Sequence, residues 1–113
     1  MTQSAMIADE PQRMRALEQA NKVRVARAEL KRRIALGEVC AADVILEPPE
    51  EVRTWSVADL LLSQRRWGST RCTKFLQRNQ ITETKPIGSL TDRQRRLLAR
   101  ELRRSVSREL ALV

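Results

Sequence analysis

Residues 64–72, Gln64-Arg65-Arg66-Trp67-Gly68-Ser69-Thr70-Arg71-Cys72, join two helical patterns through one glycine set among basic side chains. A helix that starts at Ser69 turns its unpaired N–H groups and the positive end of its dipole across that turn, and the group that fits there is a phosphate. Gly68 has two readings, a plain interhelical turn glycine or the place where a nucleic-acid strand comes close. The charge distribution favours the second. Residues 1–50 hold eight basic and eight acidic side chains and residues 51–113 hold fourteen against six, so the whole net charge of +8 lies in the second half.

Five helical patterns surround this turn. Asp9 can cap a long helix with Pro11 in its first turn, running to Ile34 or Leu36 and stopped by Gly37. Its apolar positions, Met14, Leu17, Ala20, Val23, Leu30 and Ile34, form a narrow stripe that should pack only along the later turns, where Arg24, Arg27, Lys31, Arg32 and Arg33 crowd. A second helix over 38–46 ends before Pro48-Pro49. Ser56 to Asp59 reads as a capping box for a third, with Val57, Leu60 and Leu61 inward and Trp55 stapled against Leu60. The fourth, from Ser69 to about Asn79-Gln80, sets Cys72, Phe75 and Leu76 on one face and Arg71, Lys74 and Arg78 on the other. A loop over 81–90 follows. Thr91 and Gln94 then form a second capping box, opening a last helix with Leu97, Leu98 and Leu102 inward and Arg93, Arg96, Arg100, Arg103 and Arg104 outward; residues 105–113 extend it or fray.

These patterns predict an all-α protein: an arm over 1–19, one helical domain over 20–104 and a tail over 105–113. Three Gly, four Pro and three aromatics in 113 residues agree, and leave a modest aliphatic core. A pI near 10.9 calls for a polyanionic partner, nucleic acid first and an anionic membrane surface second. No apolar run approaches the roughly 20 residues that span a bilayer, and the first residues lack the apolar segment of a signal peptide, so a cytosolic protein is expected. Cys40 and Cys72 stand without a CxxC pair or any His, which removes a zinc site and makes both read as small buried thiols. No cofactor is expected. With no His, no Tyr and no Gly-rich nucleotide loop, nothing supports acid–base, metal or triad chemistry, and no enzyme is expected.

A resemblance rests on particular residues. Arg24-Val-Ala-Arg27-Ala-Glu-Leu30-Lys, the Val57, Leu60 and Leu61 helix, the Gly68 turn, then Ile81 and Leu90-Thr-Asp-Arg93-Gln94-Arg make residues 20–103 look like the actinobacterial integration host factor family, as a divergent member. The resemblance implies a helix-two-turns-helix core and a nucleoid-associated protein that binds duplex DNA through phosphates with little sequence preference, assisting compaction or phage integration. Arg65 stands where that family usually has Pro, and Trp67 where it has an aliphatic residue. Of its basic loop before the last helix only Lys85 is present.

The candidate DNA contacts follow from charge and place. Backbone N–H groups of Gly68, Ser69 and Thr70 would receive one phosphate and Arg71 would add a charge-assisted bond. Arg65, Arg66, Lys74, Lys85 and Arg93 would continue along the backbone, with Arg24, Arg27, Arg78 and Arg96 as further candidates. Arg96, Arg100, Arg103 and Arg104 have the alternative reading of a solvated helix face. Trp67 is expected to plug the core rather than wedge into a groove, and Trp55 and Phe75 to be core. Two rival functions use the same features: an adaptor of a mobile element whose arm and tail recruit an integrase or other protein, and a ribosomal-type module that binds RNA.

Overall fold

In the computed structural model the chain is described over residues 2–112, with side chains from 10 to 108, and all its regular structure there is helical. The order is α1 (Thr2–Ala35), α2 (Ala41–Leu46), a 3-10 turn (Glu50–Val52), α3 (Val57–Leu62), α4 (Ser69–Arg78), a second 3-10 turn (Ile87–Ser89) and α5 (Asp92–Leu112). The helix-forming stretch before Asp9 has no glycine or proline, so α1 starts at Thr2 and Pro11 lies inside it; Asp9's side chain is outside the described residues. Gly37, at φ 79°, stops α1, and the amides of Glu38 and Val39 bond to the carbonyl of Arg33 at 2.9 and 3.3 Å. Those bonds take residues 38–40 into a turn, so α2 begins at Ala41, later than its sequence pattern implies.

Only the later turns of α1 join the body. Met14 and Leu17 are 58% and 66% exposed, whereas Ile34 is buried and Leu30 packs on the core. The molecule measures 68 × 27 × 24 Å as a result. The core gathers Ile45, Val52, Trp55, Leu60, Leu61, Phe75, Leu76, Ile87, Leu98 and Leu102. Each fully buried aliphatic side chain contributes about 1.5–3 kcal/mol. Five of the residues read as core-facing on the last two helices, Cys72, Phe75, Leu76, Leu98 and Leu102, are buried, but Leu97 is only half-buried and Ala99 takes its place, because the core face of α5 runs through positions 95, 98, 99 and 102.

The caps follow the sequence. Thr91 Oγ1 accepts from Gln94 N at 3.1 Å while the Gln94 side chain accepts from Thr91 N at 3.0 Å, a reciprocal box. Ser56 Oγ accepts from Asp59 N at 3.1 Å. Cys72 is buried, and burial first, then Glu83 and Asp59, pushes its thiol pKa up. Cys40, expected to be buried, is exposed because it stands in extended backbone ahead of α2.

Candidate nucleic-acid interface

The α3–α4 hairpin positions the turn. After Leu62 the amides of Ser63 and Gln64 bond back to the carbonyls of Leu60 and Leu61, both at 3.2 Å, and Trp67 N reaches Gln64 O at 3.2 Å. The reversal itself falls on Arg66, at φ 70°. A left-handed non-glycine residue costs about 1–2 kcal/mol, and here it returns Trp67 to the core while leaving Arg65 and Arg66 exposed. Gly68 is extended, at φ −93° and ψ 176°, and is the residue before α4; it offers no side chain to cap the helix.

The first bond of the α4 ladder runs from Cys72 N to Gly68 O at 3.1 Å, so the amides of Ser69 and Thr70 come before it and point out of the helix end. Gly68, Ser69 and Thr70 are exposed, and a Cβ built on Gly68 would meet nothing within 4 Å. The space ahead of the amides is open. Behind it, Trp67 meets Phe75 edge to face, with ring centroids 5.3 Å apart at 79°, and the Arg71 guanidinium lies 4.3 Å from the Trp67 ring centre. The indole is therefore the buried plug expected of it and also a platform that holds a cation at the helix start. Thr73 Oγ1 donates to Glu83 at 2.6 Å, which ties the next stretch of α4 to the 81–90 connection.

The candidate contacts fall into three groups. Arg65, Arg66, Gly68, Ser69, Thr70, Arg71 and Lys74 are brought together on the turn and the first turns of α4. Lys85 is half-buried, and its carbonyl accepts from Val57 N at 2.9 Å at the start of α3. Arg24 and Arg27 stand apart from these, in a cavity between α1 and the body with Lys31, Trp55 and Asp59. Arg27 also works inside the fold, donating to Glu51 O at 3.2 Å and to Thr54 Oγ1. Arg93 and Arg96 lie exposed on the first turns of α5, and Arg78 sits at the far end of α4 beside Arg104 and Arg108. Among the described residues no group of His, Cys, Asp or Glu could hold a metal ion, and no helix is long and apolar enough to cross a membrane.

Sequence reasoning missed two structural residues. Arg95 donates to the carbonyls of Ile45 at 2.9 Å and Gly88 at 3.2 Å, joining α2, the 81–90 connection and α5; its phase with Leu98 and Leu102 was the available signal. Gly88 is the glycine that a close approach requires, because a Cβ there would stand 3.0 Å from both Cβ and the carbonyl oxygen of Arg53.

No family model and no curated protein matches the chain. Among solved structures it is similar to sIHF bound to an 8 bp palindromic DNA: 28% of residues are identical and the TM-score is 0.68, over 75% of this chain and 98% of that one.

Proposed function

We propose that this protein is a duplex-DNA-binding protein of the integration host factor type, which holds a backbone phosphate at the N-terminus of α4. The observation that carries the reading is the open turn: the Ser69 and Thr70 amides lead out of the helix into empty space, with Arg71 stacked on Trp67 beside them. Backbone donors and a guanidinium fix position and orientation on a phosphate and carry no base information, so binding is largely independent of sequence. The likeness to sIHF, solved on DNA, supports duplex DNA as the ligand, and the +8 charge supports a polyanion of either kind. Arg65, Arg66 and Lys74 extend the contact along the same strand, and Lys85 and Arg93 are further contacts in this reading. In this reading the protein works on the nucleoid, in compaction or in the integration of mobile DNA.

The test is a gel-shift series with duplex DNA, hairpin RNA and single strands at two salt concentrations. Duplex should bind best, its affinity should fall with the release of roughly four to seven counterions, and random duplexes should compete almost equally. Preference for hairpin RNA would move the protein to the ribosomal-type reading, and one favoured sequence would remove the phosphate mechanism.

A further inference from the structure

The outer face of α5 carries an unbroken row of like charges. Arg96, Arg100, Arg104 and Arg108 follow one another at intervals of four, with Arg103 beside them. Together they line an open groove of about 570 Å³ floored by Leu46 and Ala99. Like charges at this spacing destabilise a helix, so the row works against the fold that bears it. Among the described residues, the ion pairs on this face come from two carboxylates: Asp43 meets Arg103 at 2.9 Å, and Glu101 meets Arg104 at 3.3 Å and Arg100 at 3.9 Å. Two acids against five guanidiniums leave the groove cationic.

Its place is distinct from the turn. The groove opens between α5 and the end of α2, and its outer part, at Arg104 and Arg108, borders Arg78 and Asn79 at the C-terminal end of α4. Gly68 is at the other end of that helix, about 15 Å away along its axis at 1.5 Å per residue. The row from Arg96 to Arg108 spans about 18 Å by the same rise, with one guanidinium about every 6 Å, long enough to meet several successive phosphates of one strand. Guanidiniums over an apolar floor suit a phosphate line, to which each can give two parallel N–H bonds.

We propose that this groove is a second phosphate-backbone site, which takes a second DNA duplex while the turn holds the first, so that one molecule bridges two duplexes. The proposal rests on the duplex-binding reading above and adds a second, independent surface to it. The experiment immobilises one duplex on beads and measures capture of a second, fluorescent duplex by the full-length protein at fixed moderate salt, beside the affinity of each variant for a single duplex. Wild type should capture the second duplex. The triple variant Arg100→Gln, Arg104→Gln, Arg108→Gln should lose at least fivefold of that capture while its single-duplex affinity changes no more than about threefold. Ser69→Asp should also lose capture, since it removes the other surface. Arg100→Gln alone should give an intermediate loss, which keeps the test alive if the triple variant unfolds by circular dichroism. Capture that persists in the folded glutamine variants would show that bridging comes from self-association, and equal loss of capture and of single-duplex affinity would show that both surfaces grip one duplex; either overturns the proposal. Wild type that binds single duplexes but never bridges overturns it too and leaves the turn's role standing. A protein that binds no duplex at all removes both readings.

Discussion

The two connections that flank α4 are built in opposite ways. The one before it, residues 63–68, has its backbone bonds within itself and to the two helices it joins, and its glycine faces open space. The one after it is stitched across the chain: Lys85 and Glu83 carbonyls accept from Val57 and Ala58 at 2.9 and 3.2 Å, and Ile87 and Gly88 amides donate to Trp55 and Arg53 at 2.9 and 2.7 Å. Arg95 closes it from the other side. A polar backbone that finds its partners within the fold serves stability, whereas donors left facing solvent at a helix start are available to a ligand. The same residue type, glycine, marks both places for different reasons.

The comparison breaks most readily at Gly88. In Gly88→Ala the new methyl would stand 3.0 Å from the backbone of Arg53, and the 2.7 Å bond across that contact must stretch to admit it. Overpacking of this kind costs about 2 kcal/mol. Urea denaturation should show that loss, and DNA affinity per folded molecule should stay at the wild-type value. Wild-type stability would mean that the second connection is as open as the first.

How much of this the sequence showed depends on the range of the interaction. The Thr91–Gln94 box, the Gly37 stop and the Cys72, Phe75 and Leu76 face are set within one or two turns of helix, and each was legible. Gly88 is fixed by Arg53, and Arg95 by the carbonyls of Ile45 and Gly88, partners that periodicity does not reach. The close approach expected at Gly68 is that of a nucleic-acid strand, a different role from the contact within the fold that fixes Gly88. Arg66 was counted only as a charge, because a left-handed reversal is ordinarily looked for at a glycine, and one stands two residues on. The candidate site was legible as a turn with cations around it, but the Arg71–Trp67 stack was not, since it needs the indole buried edge-on to Phe75.

Ser69→Asp sharpens the other half of the comparison. Ser69 is the first residue of α4, where a carboxylate favours the helix dipole, so stability should hold or rise by about 0.3–1 kcal/mol. The same carboxylate would sit over the Ser69 and Thr70 amides and repel a phosphate. Duplex affinity should fall about 10–30-fold, equal to about 1.4–2 kcal/mol, as a charged hydrogen bond is lost and a repulsion gained. A folded variant that binds like wild type would move the seat away from the turn.

Arg71→Lys asks a finer question, keeping the charge and removing the planar group stacked on Trp67. Lysine lacks the flat face and the fork, so the cation is no longer held beside the amides. A cation–π contact at a partly exposed site contributes about 0.5–1 kcal/mol. Affinity measured by fluorescence anisotropy should fall about two- to fivefold, with the salt slope unchanged because the number of charges is unchanged. A changed slope with unchanged affinity would show that Arg71 does not work through its stack.

Gly68→Ala should have the smallest effect, and it carries the comparison back to a single methyl group. Two terms oppose each other in stability. Alanine restricts the unfolded chain, which stabilises by about 0.4–1 kcal/mol where the backbone is compatible, as φ −93° is. Alanine is also a poorer residue than glycine just before a helix, by a similar amount. The sum should lie within about 0.5 kcal/mol of wild type, in contrast to about 2 kcal/mol for the same change at Gly88. Binding tells more, because the methyl would stand at the turn just before α4, in space that the protein itself leaves empty. Isothermal titration with a short duplex should give a two- to threefold loss. No loss at all would mean that the strand passes over Arg65 and Arg66 instead, and that the exposed left-handed residue, rather than the glycine, marks where DNA comes closest.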